Sequence, residues 1–316
     1  MTIAASVLRS IETALNCGAP PAMVATVALM AEAPASLPEA VAFIEEIAPD
    51  LLRLAERGPS FPRTLAELEP ELRLDPEIAR LRPDIGDHEV RGKLVFAELM
   101  GKRSFFQVAA LIIAGVELSA RDAELLEHLG VNTQLADARI WPLTVVRRIA
   151  ARRGMAHGIL AGAAMALNPN MGAQPVGAFM RTLERLEDGV GRGESVAVQL
   201  ERGVARGERV SGVGRPVLGP DERNAHVFDL VRRYERDGGK SFRLALEVDA
   251  FFQKRKNQHI NSAGLQGAIL RDMGFSPAAG SAFCLLYFFV QILAQAVAAE
   301  ERLQHVRESA GHTPAA

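Results

Sequence analysis

The chain has 316 residues, with 36 lysines and arginines against 38 aspartates and glutamates and a formal net charge of -2. That balance provides no long-range field to gather nucleic acid or an anionic membrane, so any anion must be held by local arginine clusters. An aromatic content of 5% argues against stacking platforms for single strands, and 48% hydrophobic residues suffice for one large core or two smaller ones.

Apolar residues recur with period 3.6 and no period-2 strand stands out, so an all-α protein is expected. Residues 1 to about 80 read as helical stretches punctuated by Pro20, Pro21, Pro34, Pro38, Pro49, Pro59 and Pro62. Asp84 to His88 reads as a turn, and Glu89 to Met100 leads into a helix over Ser104 to Ala114, with Ser104 as its N-cap. Ser119-Ala-Arg-Asp122 has the spacing of a capping box for a helix carrying Leu125, Leu126 and Leu129, which Gly130 is expected to end. Trp141-Pro142 introduces a long stretch from Leu143 to Leu167, with Trp141 as a core anchor; Asn168-Pro-Asn170 breaks it. Further helices are expected over Val176 to Leu186, Ser195 to Gly203, Asp221 to Gly238 and Lys240 to Lys256, with an irregular loop from Gly207 to Pro220.

The segment Ser281 to Ala299 carries no charge and is about the minimum length of a membrane span. Gln291 and Gln295 share one face, charged residues follow at once and no second such segment exists, so a helix buried at the centre of a helical protein is expected. Cys17 and Cys284 lie far apart without metal-ligand spacing and read as core hydrophobes in a reducing compartment. With no secretory pattern at the start, the cytoplasm is the expected location. His157 follows a dense basic run, Arg147, Arg148, Arg152 and Arg153, and without a second ligand at helical spacing it reads as structural; no metal is expected.

Three segments, in order, carry a resemblance: Glu98-Leu-Met-Gly-Lys-Arg-Ser-Phe-Phe-Gln-Val108 with Gly115-Val-Glu-Leu118, then Ser211-Gly-Val-Gly-Arg-Pro-Val-Leu-Gly-Pro-Asp-Glu-Arg223, then Asn261-Ser-Ala-Gly-Leu-Gln-Gly267 with Met273-Gly-Phe-Ser-Pro277. Together they resemble the citrate synthase superfamily, which includes citryl-CoA lyases. In the first, Gln107 replaces the family's Glu and Ser119 its Pro. In the second, Gly212, Gly214, Asp221 and Arg223 match while Arg215 stands where a His is usual. In the third, Asn261 and Gly267 match and Ala263 falls on the catalytic Asp; near Asn168 to Pro175, Gly172, or Met171 under a shift of one, takes the place of a second His.

The resemblance implies a large helical domain of residues 1–170 plus 268–316 and an inserted small domain of residues 171–267, with a cleft between them. Family chemistry needs a base to take a proton from the thioester methyl carbon, a His to bond the enolic oxygen and another to polarise the attacked carbonyl. Gly172, Arg215 and Ala263 supply none of the proton transfers, although the fixed fork of Arg215 can polarise a carbonyl or hold a carboxylate. A catalytically silent or non-canonical member is therefore expected, one that still binds coenzyme A, an acyl-CoA or a small carboxylate. The expected ligand-binding residues are Arg215, Arg223, Asn261 and Tyr287, Tyr287 replacing the family's substrate Arg, with Lys254 and Lys256 placed for CoA phosphates. The alternative is a diverged acyl-CoA lyase, acyltransferase or thioester hydrolase using His259 as a relocated base. The partner expected is a second copy, as a homodimer, or a citrate synthase-like paralogue in a hetero-oligomer, joined through the apolar central helices.

Overall fold

The computed structural model describes residues 78–134, 141–215 and 219–309. The N-terminal helices expected before residue 78, Cys17 and the side chain of Trp141 lie outside the described part.

The first described element is one that periodicity does not reveal. Strands β1 (Ala79–Arg82), β2 (Asp87–Val90) and β3 (Lys93–Leu94) form an antiparallel meander in that order. Strands this short offer too few residues to show alternation, and they are held by local polar contacts. Glu89 on β2 accepts from Arg80 at 2.7 Å and Arg82 at 2.8 Å on β1. The buried Asp87 carboxylate accepts from the Phe96 and Ala97 amides at 2.9 and 3.1 Å, capping the π-helical turn Val95–Leu99 that follows.

Helices make up the rest. Ser104 caps α1 (Phe105–Ala114) in a reciprocal box: its hydroxyl accepts from the Gln107 amide while the Gln107 side chain accepts from the Ser104 amide. Gln107 also donates to the Leu118 carbonyl at 2.9 Å, which fixes the entry to the next helix. Ser119 caps α2 (Ala120–Thr133) by accepting from the Asp122 amide. Gly130 does not end α2 but lies inside it. A Cβ there would sit 2.8 Å from the Tyr287 ring, so this glycine admits an aromatic ring where the sequence suggests a stop.

The stretch expected as one long helix is two, α3 (Trp141–Arg153) and α4 (Met155–Ala166), parted at Gly154 with φ of 90°. There follow α5 (Gln174–Gly191), α6 (Val196–Ala205), α7 (Arg223–Arg233), α8 (Lys240–Lys256), α9 (Ser262–Asp272) and α10 (Pro277–Ser309). Helix α9 lies centrally: α5 and α8 pack on it most heavily, and α7 and α10 also touch it. Its side chains Leu265, Ala268, Ile269 and Leu270 are buried in one core with Phe179, Met180 and Leu183 of α5 and Phe283 and Tyr287 of α10.

Helix α10 is long and apolar enough to cross a membrane by length and composition. The expectation that it is buried all round holds for one face only. Phe283, Cys284, Tyr287, Ile292 and Ala296 are buried, whereas Val290, Leu293 and Val297 are 56%, 43% and 41% exposed. These three lie on one stripe at helical spacing. Its C-terminal half packs with α3 and α4 in a second, smaller cluster built on Val146, Ala150, Ala166, Ile292 and Ala296.

Phe283 is fully buried, edge-on or tilted to the rings of Phe106, Phe275 and Tyr287. Phe283→Ala should cost about 3–5 kcal/mol of stability through lost burial and the cavity left behind, read as a lower midpoint in urea unfolding.

Candidate functional site

The loop before α7 and the segment before α9 are clasped by backbone. The Gly214 amide donates to the His259 carbonyl at 2.8 Å and the Asn261 amide to the Gly212 carbonyl at 2.9 Å, closing an isolated antiparallel bridge between Val213 and Ile260. Asn261 finishes the clasp with its side chain. Its carboxamide nitrogen donates to the Gly214 carbonyl at 2.8 Å, and its oxygen accepts from the Ala263 and Gly264 amides, making it the N-cap of α9. One residue therefore closes the loop and starts the helix.

Beside the clasp lies Asp221, with its carboxylate almost wholly removed from solvent. It accepts from Arg223 Nε at 2.8 Å, from Arg223 Nη2 at 2.7 Å and from the Ser262 amide at 3.0 Å. Arg215 Nη1 lies 3.4 Å from the same carboxylate and bonds Glu222 as well. Two guanidiniums thus flank one buried acid, each retaining about a quarter of its exposure and free donors to offer. Burial opposes the charge on Asp221, but the hydrogen bonds and charge of Arg223 with the Ser262 amide outweigh it and hold the carboxyl below its usual range. Burial likewise opposes the charge on Arg223, and Asp221 outweighs it and raises the guanidinium pKa.

Asn224, in the first turn of α7, donates to the Ile260 carbonyl at 2.7 Å, tying α7 to the clasp. Its Oδ1 is buried with no donor facing it. His259 lies at the outer end of the clasp, its Nδ1 3.8 Å from Asp249 Oδ1, and that same oxygen accepts from the Ile260 amide at 2.7 Å.

Arg215, Arg223, Asn261 and Ala263 are brought together around Asp221 and the clasp, with His259 one residue from its bridge. Lys254 and Lys256 are exposed in the last turn of α8, and Asn257 caps that helix in the left-handed conformation. Among the described residues, no hydrogen bond or ion pair joins Gly172 or Tyr287 to that group. Gly172 lies in the turn between α4 and α5 with φ of +82°, and a Cβ on it would be 2.2 Å from the Ala166 carbonyl oxygen. Tyr287 is buried, its hydroxyl donating to the Leu126 carbonyl at 2.8 Å, and burial drives its pKa well above the ordinary tyrosine value. The sequence reading did not single out Ser262, Asn224 or Asp249. The Ser262 contribution is a backbone amide, which no side-chain pattern reports, while Asn224 immediately follows the Asp-Glu-Arg run and was available as a signal.

No protein-family model and no curated protein matches the sequence. Solved structures do. The citryl-CoA lyase of Hydrogenobacter thermophilus superposes with a TM-score of 0.62 at 21% identity, over 71% of this chain and 86% of that one. The fold is that of citrate synthase and citryl-CoA lyase. The ATP citrate lyase of Methanosaeta concilii, solved with (3S)-citryl-CoA, gives a TM-score of 0.55 at 16% identity over 88% of this chain, which spans only 48% of that protein. Citrate synthase of the archaeon Thermoplasma acidophilum, solved with carboxymethyl coenzyme A and oxaloacetate, gives 0.51 at 11% identity, over 100% of this chain and 76% of that one. At these identities the likeness establishes the all-α citrate synthase-like architecture.

Because Asp221 is ionised below the usual carboxylate range in the folded chain, its contribution to stability is complete above about pH 4, the unfolded value, and is lost as pH falls through the lower folded value. Asp221→Asn should remove that acid-limb dependence and destabilise the chain by about 3 kcal/mol, since Arg223 loses its buried partner. Urea unfolding at a series of pH values from neutral downward reads both effects.

Proposed function

We propose that the chain is a non-catalytic or non-canonical protein of citrate synthase fold that binds a CoA thioester or a small carboxylate at the arginine-flanked clasp. The observation that carries this reading is the character of the positions where the resemblance calls for acid–base groups. Arg215 and Ala263 hold no group that exchanges protons near neutral pH, and Gly172 has no space for any side chain. A His at Gly172 needs the turn between α4 and α5 rebuilt, which supports a site with no acid–base group at this position. If Met171 is the matching position, the neutral thioether supplies no base either.

The remaining groups suit an anionic ligand. Arg215 and Arg223 can turn free donors toward a carboxylate or the carbonyl of a thioester. Lys254 and Lys256 are available for CoA phosphates one turn before His259. In this reading residues 1–170 with 268–316 form the large domain and 171–267 the small one, closing on the ligand by a hinge. Tyr287, buried against Phe106, Phe283 and Gly130 with its hydroxyl on the Leu126 carbonyl, serves by shape and not by charge. The assembly is a hetero-oligomer with a citrate synthase-like paralogue that has the missing acid–base groups, with a homodimer as the alternative; the exposed stripe Val290, Leu293 and Val297 offers apolar area for either.

A second reading has one specific observation in its favour: Asp249 Oδ1 lies 3.8 Å from His259 Nδ1, near enough that a small movement would let the carboxylate orient the imidazole as a base. It makes the chain a diverged acyl-CoA lyase, acyltransferase or hydrolase. His259→Ala would then abolish turnover of the thioester, whereas the binding reading leaves no turnover to lose.

The two arginines supply the test. In calorimetric titration with CoA, acetyl-CoA and hydroxyacyl-CoA thioesters, Arg223→Ala and Arg215→Ala should each weaken binding by about tenfold, as expected for a charge-assisted hydrogen bond. Gly172→His should lower stability and gain no citrate synthase or citryl-CoA lyase activity. Unchanged affinity in both arginine variants would remove the ligand from this site.

A further inference from the structure

The residues from Trp141 to Ala166, helices α3 and α4, contain four arginines and one histidine and no acidic residue. Arg147, Arg148, Arg152 and Arg153 are all exposed, and none of them pairs with an acid among the described residues. Other exposed arginines such as Arg103, Arg181 and Arg209 also lack an acidic partner, but they are scattered singly, whereas these four fall within seven residues of one helix. The helix that carries the four is held firmly, because Leu143, Val146 and Ala150 on its opposite face are buried and α3 packs on both α4 and α10. Exposed apolar side chains continue on the two helices it packs against: Met155 and Leu160 on α4, and Val290, Leu293 and Val297 on α10.

Arg148 and Arg152, at i and i+4, point away from the buried side of α3, with Arg147 and Arg153 on its two flanks. We infer that this exposed face of α3 is a docking surface for a different protein that presents a carboxylate-bearing helix. The inference deepens the proposed hetero-oligomer by naming the chemistry of its partner, and does not depend on what the clasp binds. A second copy of this chain does not fit. A two-fold contact through this face sets the same four guanidiniums against themselves, and like charges facing each other in an interface cost several kcal/mol. An acidic helix complements them, since each guanidinium fork takes a carboxylate in two parallel hydrogen bonds. Arginine and methionine bordered by exposed aliphatic groups is the composition of a protein interface. A lipid surface is disfavoured because the apolar face of α3 is already consumed in packing and cannot insert. Nucleic acid is disfavoured because the chain's formal net charge of -2 gives no field to gather a polyanion, and this face has no exposed aromatic to stack bases among the described residues.

The test uses the full chain and a fluorescent helical peptide with glutamates at i, i+3, i+4 and i+7 bordered by leucines, against a scrambled peptide of the same composition. Fluorescence anisotropy should show the patterned peptide bound at least about tenfold more tightly than the scrambled one, with the preference fading as salt shortens the screening length. The quadruple change Arg147→Gln, Arg148→Gln, Arg152→Gln and Arg153→Gln should abolish the preference while leaving thioester binding as in the unaltered chain. The single change Arg148→Gln should give a partial loss and guards against a misfolded quadruple variant. Equal binding of both peptides would overturn the proposal, as would a preference that survives the quadruple change. Binding to vesicles rich in phosphatidylserine, or to duplex DNA, that exceeds peptide binding and is lost in the same variant would also overturn it and assign the face to that polyanion. Loss of thioester binding with the peptide preference intact would count against the clasp alone.

Discussion

The buried Asp221 carboxylate is the constraint on which the site depends. Placed among apolar residues without partners, it would lose several kcal/mol to desolvation and would hold no fixed position. It keeps its charge because Arg223 meets it with two guanidinium nitrogens, Arg215 approaches from the loop and the Ser262 amide closes on it from the start of α9. Those groups come from three segments, so satisfying one acid fixes the loop before α7, the first turn of α7 and the first turn of α9 relative to each other. The backbone bridge between Val213 and Ile260 and the cap made by Asn261 then follow with little freedom left.

In the proposed non-catalytic reading, the scaffold keeps its geometry without acid–base groups at the positions the resemblance marks. Asp221 and Asn261 act on backbone and on neighbouring side chains, and their roles persist whatever the ligand is. A reacting group contributes little to folding, so if Ala263 and Arg215 stand where the resemblance places reacting groups, the exchange costs the fold little. Gly172 differs from these two. There the backbone has adopted a left-handed conformation against the Ala166 carbonyl, so one side-chain change cannot restore what the resemblance would place at that position.

Much of the fold was legible because helix signals are local. Ser104 with Gln107 and Ser119 with Asp122 cap as their spacing implies, and the positions of α5, α6 and α8 follow from apolar periodicity. The failures have tertiary causes. Gly130 looked like a stop because the aromatic ring that occupies its missing side chain comes from a helix more than a hundred residues away. The meander of β1, β2 and β3 is too short for alternation and rests on the Arg80, Arg82, Glu89 and Asp87 contacts. In the site, Arg215, Arg223, Asn261 and Ala263 were found by motif and do gather, while the Ser262 amide and the Asp249 neighbour of His259 arise only when α8 and α9 are folded together.

The most direct measurement is deuterium exchange at the methyl group of acetyl-CoA, followed by proton NMR in heavy water with the protein in excess and with oxaloacetate present or absent. A cleft that binds without a base leaves the methyl signal intact over hours while the resonances of the bound thioester broaden or shift. Loss of the methyl signal that depends on His259 or on another residue of the clasp would mean that a base is at work, and would contradict a non-catalytic site.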